Sequence, residues 1–181
     1  MVLMEEVAER AGISRALLYK HFANKRDLFA AVYQEAADGL LDATELDPDV
    51  PFTDQLVAGL DTHIDYFAAN SSAVLAANRT LAGDPTIQAI INGELAVLRQ
   101  RVIDVSGLDG PARNVLASVL TAWLVFVRVL VVEWLTDRAF DRTELRDVCV
   151  GALTGALGDI TAQIEQARLT RLKRAGGPPL D

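Results

Sequence analysis

The chain has 181 residues, 51% apolar and 23% charged, with 17 basic against 25 acidic side chains and a net charge of -8. That length and apolar share suit one domain, or two small units on one core, and exclude a disordered chain. One cysteine, Cys149, and two histidines, His21 and His63, exclude an internal disulfide, a Cys-rich zinc site and a multi-histidine metal centre, so no metal or other cofactor is expected.

In chain order the pattern is helical almost throughout. Met4–Ala11 reads as a short helix with Val7, Ala8 and Ala11 on its apolar side, and Gly12 ends it. Ser14 caps a second helix that runs through Phe22, and Asn24 caps a third, Lys25–Thr44. Leu56, Leu60, Ile64 and Phe67 then recur at helical spacing. Asp84 before Pro85 is a cap followed by proline at the first helical position, and Ile87, Ile90, Ile91, Leu95, Leu98 and Val102 trace one face beyond it. Gly110–Pro111 opens a long helix to Asp137. Its valine-rich part, Leu124–Val132, has the composition of a buried strand, but the segment is too long and too free of turn residues for that. Asp141 with Glu144 forms a capping box, and Leu145, Val148, Ala152, Ala156, Ile160 and Ile164 carry one helical face onward to Lys173. The Gly-Gly-Pro-Pro tail, residues 175–181, is expected to be disordered. The fold expected is all-α.

Charges follow Met4 at once, in Glu5, Glu6, Glu9 and Arg10, which does not fit an export signal. The longest uncharged run, Asn114–Val127, has fourteen residues and falls short of the roughly 18–20 that span a bilayer. No membrane partner is expected, and a single cysteine fits a reducing compartment such as the cytoplasm. Charge is unevenly spread. Residues 1–33 hold five basic and four acidic groups, whereas residues 34–181 hold twelve and twenty-one. Between Ile13 and Arg26 there are four basic side chains and no acid, so a small basic head sits on an acidic body.

Ala8, Gly12 and Leu18 stand where a helix-turn-helix needs a small residue, a turn glycine and an apolar anchor. In such a unit the second helix enters the major groove, and Ser14, Arg15, Ala16, Tyr19 and Lys20 are its exposed positions. Arg15 suits guanine edges and Ala16 a thymine methyl. Tyr19, His21 and Lys25 suit phosphate oxygens, and Lys25 opens a helix whose free amides attract phosphate.

The run Val7-Ala-Glu-Arg-Ala-Gly-Ile-Ser-Arg-Ala-Leu-Leu-Tyr-Lys-His-Phe-Ala-Asn-Lys-Arg-Asp-Leu-Phe29 strongly resembles the DNA-binding segment of TetR-family transcriptional regulators. The likeness covers Leu3–Phe29; beyond it the match is one of architecture. The resemblance implies a helix-turn-helix head (residues 1–43, with the connecting helix 25–43) followed by a helical-bundle ligand-binding and dimerisation domain (44–174). Family members carry a further helix ahead of the motif, and only Met1–Leu3 precede it here. A truncated head is therefore expected, with Val7, Leu17, Leu18 and Phe22 partly uncovered.

In the body, polar groups interrupt apolar faces, as in a pocket for a small organic molecule. The candidate ligand contacts are His63, Tyr66, Phe67, Asn78, Trp123, Phe126 and Arg128. Each also has a plainer reading as core or surface. The resemblance implies a homodimer through helices 111–137 and 142–173, where Gly151, Ala152, Gly155, Ala156 and Gly158 permit close helix contact. No phosphate loop, zinc-protease motif or nucleophile elbow occurs, and Cys149 has no basic activator nearby in sequence, so no catalytic residues are expected. The function expected is a ligand-responsive regulator, a repressor released from a palindromic double-stranded DNA operator by a small organic effector. The second reading is a dimeric small-molecule-binding helical protein that has left DNA behind.

Overall fold

Short polar caps divide the chain into its helices, and their side chains do what their positions demand. The computed structural model describes residues 3–175. Of the expected disordered tail, residues 175–181, Ala175 instead closes α9 and the remainder lies outside the described residues. Among those residues every regular element is helical: α1 (Met4–Arg10), α2 (Arg15–His21), α3 (Lys25–Ala43), α4 (Phe52–Ala69), α5 (Ser71–Leu75) running into a π-helical turn (Ala76–Thr80), α6 (Pro85–Ser106), α7 (Gly110–Asp137), α8 (Arg142–Leu157) and α9 (Asp159–Ala175). The Ser14 hydroxyl accepts from Leu17 N (3.1 Å) and Asn24 Oδ1 from Asp27 N (3.0 Å). Asp84 Oδ1 accepts from Thr86 N and Ile87 N, and Asp141 and Glu144 close their reciprocal box. Each such cap is worth about 1 kcal/mol.

Three apolar clusters organise these helices. In the head, Met4, Ala8 and Leu18 are buried, with Val7, Phe22 and Leu28 packed around them. Leu18 is fully covered, contrary to expectation, because α1 lies directly on it; Leu17, one position round α2, is 41% exposed. Gly12 adopts φ +66°, a backbone that favours glycine, and so turns α1 toward α2. A second cluster, Tyr33, Ala77, Ile87 and Ile91, joins α3 to α6 and the π-helical turn. The main core gathers α4, α6, α7, α8 and α9 around Ile64, Leu116, Leu120, Val131, Leu145 and Leu153. Arg142 fastens α8 to α4 with two bonds to the Asp65 carboxylate (2.6 and 2.7 Å), one to the Asp61 carboxylate (2.9 Å) and one to the Asp61 carbonyl (3.1 Å).

Two expectations need correction. The segment 142–173 is two helices, because Gly158 takes φ +53°, ψ -124° and α9 restarts at Asp159 to pack on α4 and α6. The fourteen-residue uncharged run also underrates α7. By length and composition α7 alone among the described helices could cross a membrane, and less than half of its most apolar stretch is buried. One face of α7 fills the core, and its charge at Arg128 is buried within the protein. The other face leaves Val115, Val125, Phe126 and Val129 in the open.

Candidate DNA interface and effector cavity

The α1–α2 pair presents one face of α2 outward, with Ser14, Arg15, Ala16, Tyr19, Lys20 and His21 all exposed. No acid lies in the first turn of α2, and Lys20 and His21 close its last turn. Ser14 is committed to its cap. Arg15 reaches Glu5 of α1 at 2.6 Å and sits 5.6 Å from the Tyr19 ring centre. Both partners of that ion pair are well exposed, so it is a weak tether that a stronger anion can displace. Lys25 is exposed at the first position of α3, where free amides and the helix dipole already favour an anion.

The head is fastened to the body at the start of α3. Arg26 makes an ion pair with Asp84, the cap of α6, with Nη2 at 2.8 Å from Oδ1 and Nε on Oδ2. The Arg26 guanidinium holds the Asp84 carboxyl below its ordinary range. Further along α3, Phe29 stacks on Tyr33 at 5.9 Å. The far end of α3 delivers the carbonyls of Leu41 and Thr44 to the guanidinium of Arg101 on α6.

That far end rims a cavity enclosing about 800 Å³, open mouth included, between α4, α6 and α7. Its walls are mainly apolar, with Phe52, Leu60, Leu98, Trp123 and Val127 among them. Two of the seven candidate contacts line it: His63 on α4 and Trp123, whose indole N–H donates to Cys149 O (2.8 Å). Burial, with Arg128 adding its positive charge, pushes His63 down to about 3, so its ring is neutral at neutral pH. Sequence reasoning missed Gln55 and Gly59, which precede His63 by eight and four residues and so share its face of α4.

The other five candidates lie elsewhere. Tyr66 and Phe67 line a separate hollow between α3, α4 and α5, and the Tyr66 hydroxyl donates to Ala36 O of α3 (2.8 Å). Asn78 and Arg128 belong to a buried polar cluster. Arg128 donates to Asn78 Oδ1 (2.9 Å), Glu94 Oε2 (3.4 Å) and the Tyr33 hydroxyl (2.6 Å), and lies 5.5 Å from the Phe67 ring centre. The π-helical turn carries Asn78 at this point. Phe126 is 40% exposed and stands on the outer face of α7, because that helix is apolar on two sides and only one meets the core. Glu94 was not foreseen. Burial holds its carboxyl above the ordinary value while Arg128 draws it back down. Cavity and cluster touch through the rings of His63 and Phe67, whose centres are 4.0 Å apart.

A helix-turn-helix head joined by one long helix to an all-helical body is the architecture of one class of DNA-binding proteins. Residues 2–32 match the family model described as bacterial regulatory proteins, tetR family. The chain is 25% identical over 162 residues to the HTH-type transcriptional activator FasR of Mycolicibacterium smegmatis, covering 87% of this chain and 74% of the relative. In fold it is similar to the crystal structure of a TetR-family transcriptional regulator from Streptomyces coelicolor, with a TM-score of 0.77 and 24% identity over 98% of this chain and 81% of that one. Over residues 2–32 the chain is thus similar in sequence to the DNA-binding segment of tetR-family regulatory proteins, and over nearly its whole length it is similar in fold to one of them.

Proposed function

We propose that the chain is a dimeric, cytoplasmic, ligand-responsive repressor that leaves a palindromic operator when a small organic effector fills the α4–α6–α7 cavity. The observation that carries this reading is the continuity of α3. It begins at the exposed Lys25 and ends at Ala43, next to Thr44 on the cavity rim, 19 residues and about 28 Å later. The division is head 1–43 and effector domain 44–174. Arg15 and Ala16 meet base edges, and Tyr19, Lys20, His21 and Lys25 hold phosphates, with Ser14 placing the helix that carries them.

Two heads on a two-fold axis read half-sites one helical turn or a multiple apart. The dimer face is the outer side of α7 and α8. There Val115, Val125, Phe126, Val129 and Val148 are exposed beside the small, exposed Gly151, Ala152, Gly155 and Ala156. A dimer seam also accounts for the apolar outer face of α7 without a membrane. An effector shifts this dimer only by its differential affinity for two head separations. His63, Phe67, Arg128 and Tyr33 form a contiguous path from the cavity wall to α3.

The test is fluorescence anisotropy of the full chain on the DNA flanking its own gene, at two salt concentrations. Saturable, salt-sensitive binding that outcompetes unrelated DNA is expected, and equal affinity for both DNAs would refute the operator reading. FasR is named an activator. A promoter reporter that rises when the gene is deleted supports repression here; one that falls gives this chain the opposite sign.

A further inference from the structure

Two buried polar atoms among the cavity-lining side chains have no partner: Gln55 Oε1 and His63 Nε2. Both residues are 8% exposed. Native interiors rarely leave such groups unpaired, and at a cavity wall a water or a ligand can complete them. For Gln55 the sense of the bond is fixed. Its amide nitrogen donates to Val50 O (2.9 Å), which leaves the oxygen as an acceptor in need of a donor.

The two side chains are eight residues apart on one helix, a span of about 12 Å at ~1.5 Å per residue. Midway between them stands Gly59. A Cβ built there meets nothing within 4 Å, so the gap beside α4 is open space and not packing forced by a neighbour. Glycine inside a helix weakens it relative to alanine, yet here it leaves the cavity lining open between the two residues.

Along α4 no charged side chain lines the cavity, and His63 is neutral. The cation on the lining, Arg101, stands at the rim and directs Nη1 at the carbonyls of Leu41 and Thr44. An ion held between Gln55 and His63 would lose its hydration with no opposite charge beside it.

We infer that the cavity takes an uncharged, elongated, mainly apolar molecule with two hydrogen-bonding groups about two helical turns apart, a hydroxyl or N–H donating to Gln55 and a second polar group meeting His63. This rests on the effector reading of the cavity given above.

The probes are an unbranched eight-carbon diol with a hydroxyl at each end, octanol, and octanoate. They are titrated into the full-length protein and followed by tryptophan fluorescence, since Trp123 lines the cavity, and by thermal shift. The diol is expected to bind about 3- to 10-fold more tightly than octanol, the value of one added hydrogen bond, with octanoate weakest. His63→Phe and Gln55→Leu should each bring the diol toward octanol. Gly59→Leu should abolish binding of both alcohols while keeping helical circular dichroism and thermal midpoint, and Gly59→Ala should weaken it at least threefold. Octanoate binding more tightly than the diol, no binding by any probe, or a Gly59→Leu protein that binds like wild type would each overturn the inference. DNA anisotropy run in parallel separates the two ideas. A diol that binds without changing DNA affinity upholds this ligand chemistry and refutes the effector-release reading; DNA binding with no probe binding does the reverse for the ligand chemistry alone.

Discussion

Replacing Arg128 by methionine removes the cation at the centre of the buried cluster and leaves the packing volume nearly filled. Arg128 is 6% exposed and Glu94 4%. Glu94 Oε2 faces Arg128, and Glu94 Oε1 has no partner at all. Deleting one member of such a pair costs about 3–5 kcal/mol, because the other charge stays buried without compensation. For a chain of this size that lowers the thermal midpoint by about 6–20 °C at fixed protein concentration. The sign of the pH dependence follows from Glu94. Burial raises its carboxyl and Arg128 opposes the rise, so in the variant the rise is unopposed. The folded variant then holds the Glu94 proton more tightly than the unfolded chain does. Stability from that source is complete below the ordinary carboxylate value and is lost as pH rises through the folded value. The deficit against wild type, measured by urea unfolding, should therefore be full at about pH 7 and shrink toward about pH 4. The double variant Arg128→Met, Glu94→Leu should regain most of the loss at neutral pH. A deficit under about 1 kcal/mol, or one unchanged between the two pH values, would refute the buried-pair argument.

Lys25→Ala and Tyr19→Phe should weaken DNA binding alike on all sequences, with Lys25→Ala flattening the salt slope by about one. Arg15→Ala should cost about 1–3 kcal/mol on the operator and relax base preference at one position of each half-site; loss confined to non-specific binding would contradict the assignment. Val129→Asp, placed on the outer face of α7 where Val129 is 57% exposed, should convert a dimer into a monomer by sedimentation with the circular dichroism unchanged. An unaltered sedimentation coefficient would move the dimer face elsewhere. Burial pushes the Cys149 thiol up to about 11, so alkylation of the native protein at about pH 8 should be slow and should accelerate only on unfolding. Rapid native labelling would show that α8 opens locally.

Helix starts were the most legible part of the sequence, because a cap is a bond between residues two or three apart. Ser14, Asn24, Asp84 and Asp141 all make the bonds their spacing implied. Burial was less legible. Periodicity marks which residues of α7 share a side, but α7 is apolar on two sides. Nothing in the pattern told that Trp123 faces the interior while Phe126 faces out. The break at Gly158 was hidden because a run of small residues serves a helix seam as well as a stop, and only the backbone angle distinguishes them. The acidic half of the buried cluster did leave a sign. Glu94 interrupts the otherwise apolar series Ile87, Ile91, Leu95 and Leu98, and an acid on a core face asks for a cation elsewhere. What no spacing could supply was the meeting of Tyr33, Asn78, Glu94 and Arg128, which come from α3, the π-helical turn, α6 and α7.

The oxygen Asp84 Oδ1 serves three donors: the amides of Thr86 and Ile87 in the first turn of α6, and the guanidinium of Arg26 at the root of α3. A head that swings away from the body takes Arg26 with it and leaves that oxygen to the two amides alone, freer to rotate toward water. The exchange of those amide hydrogens with solvent is thereby tied to the angle of the head. Two backbone protons of α6, across the Arg26 ion pair from the head, become a clock for whether the head is held in place.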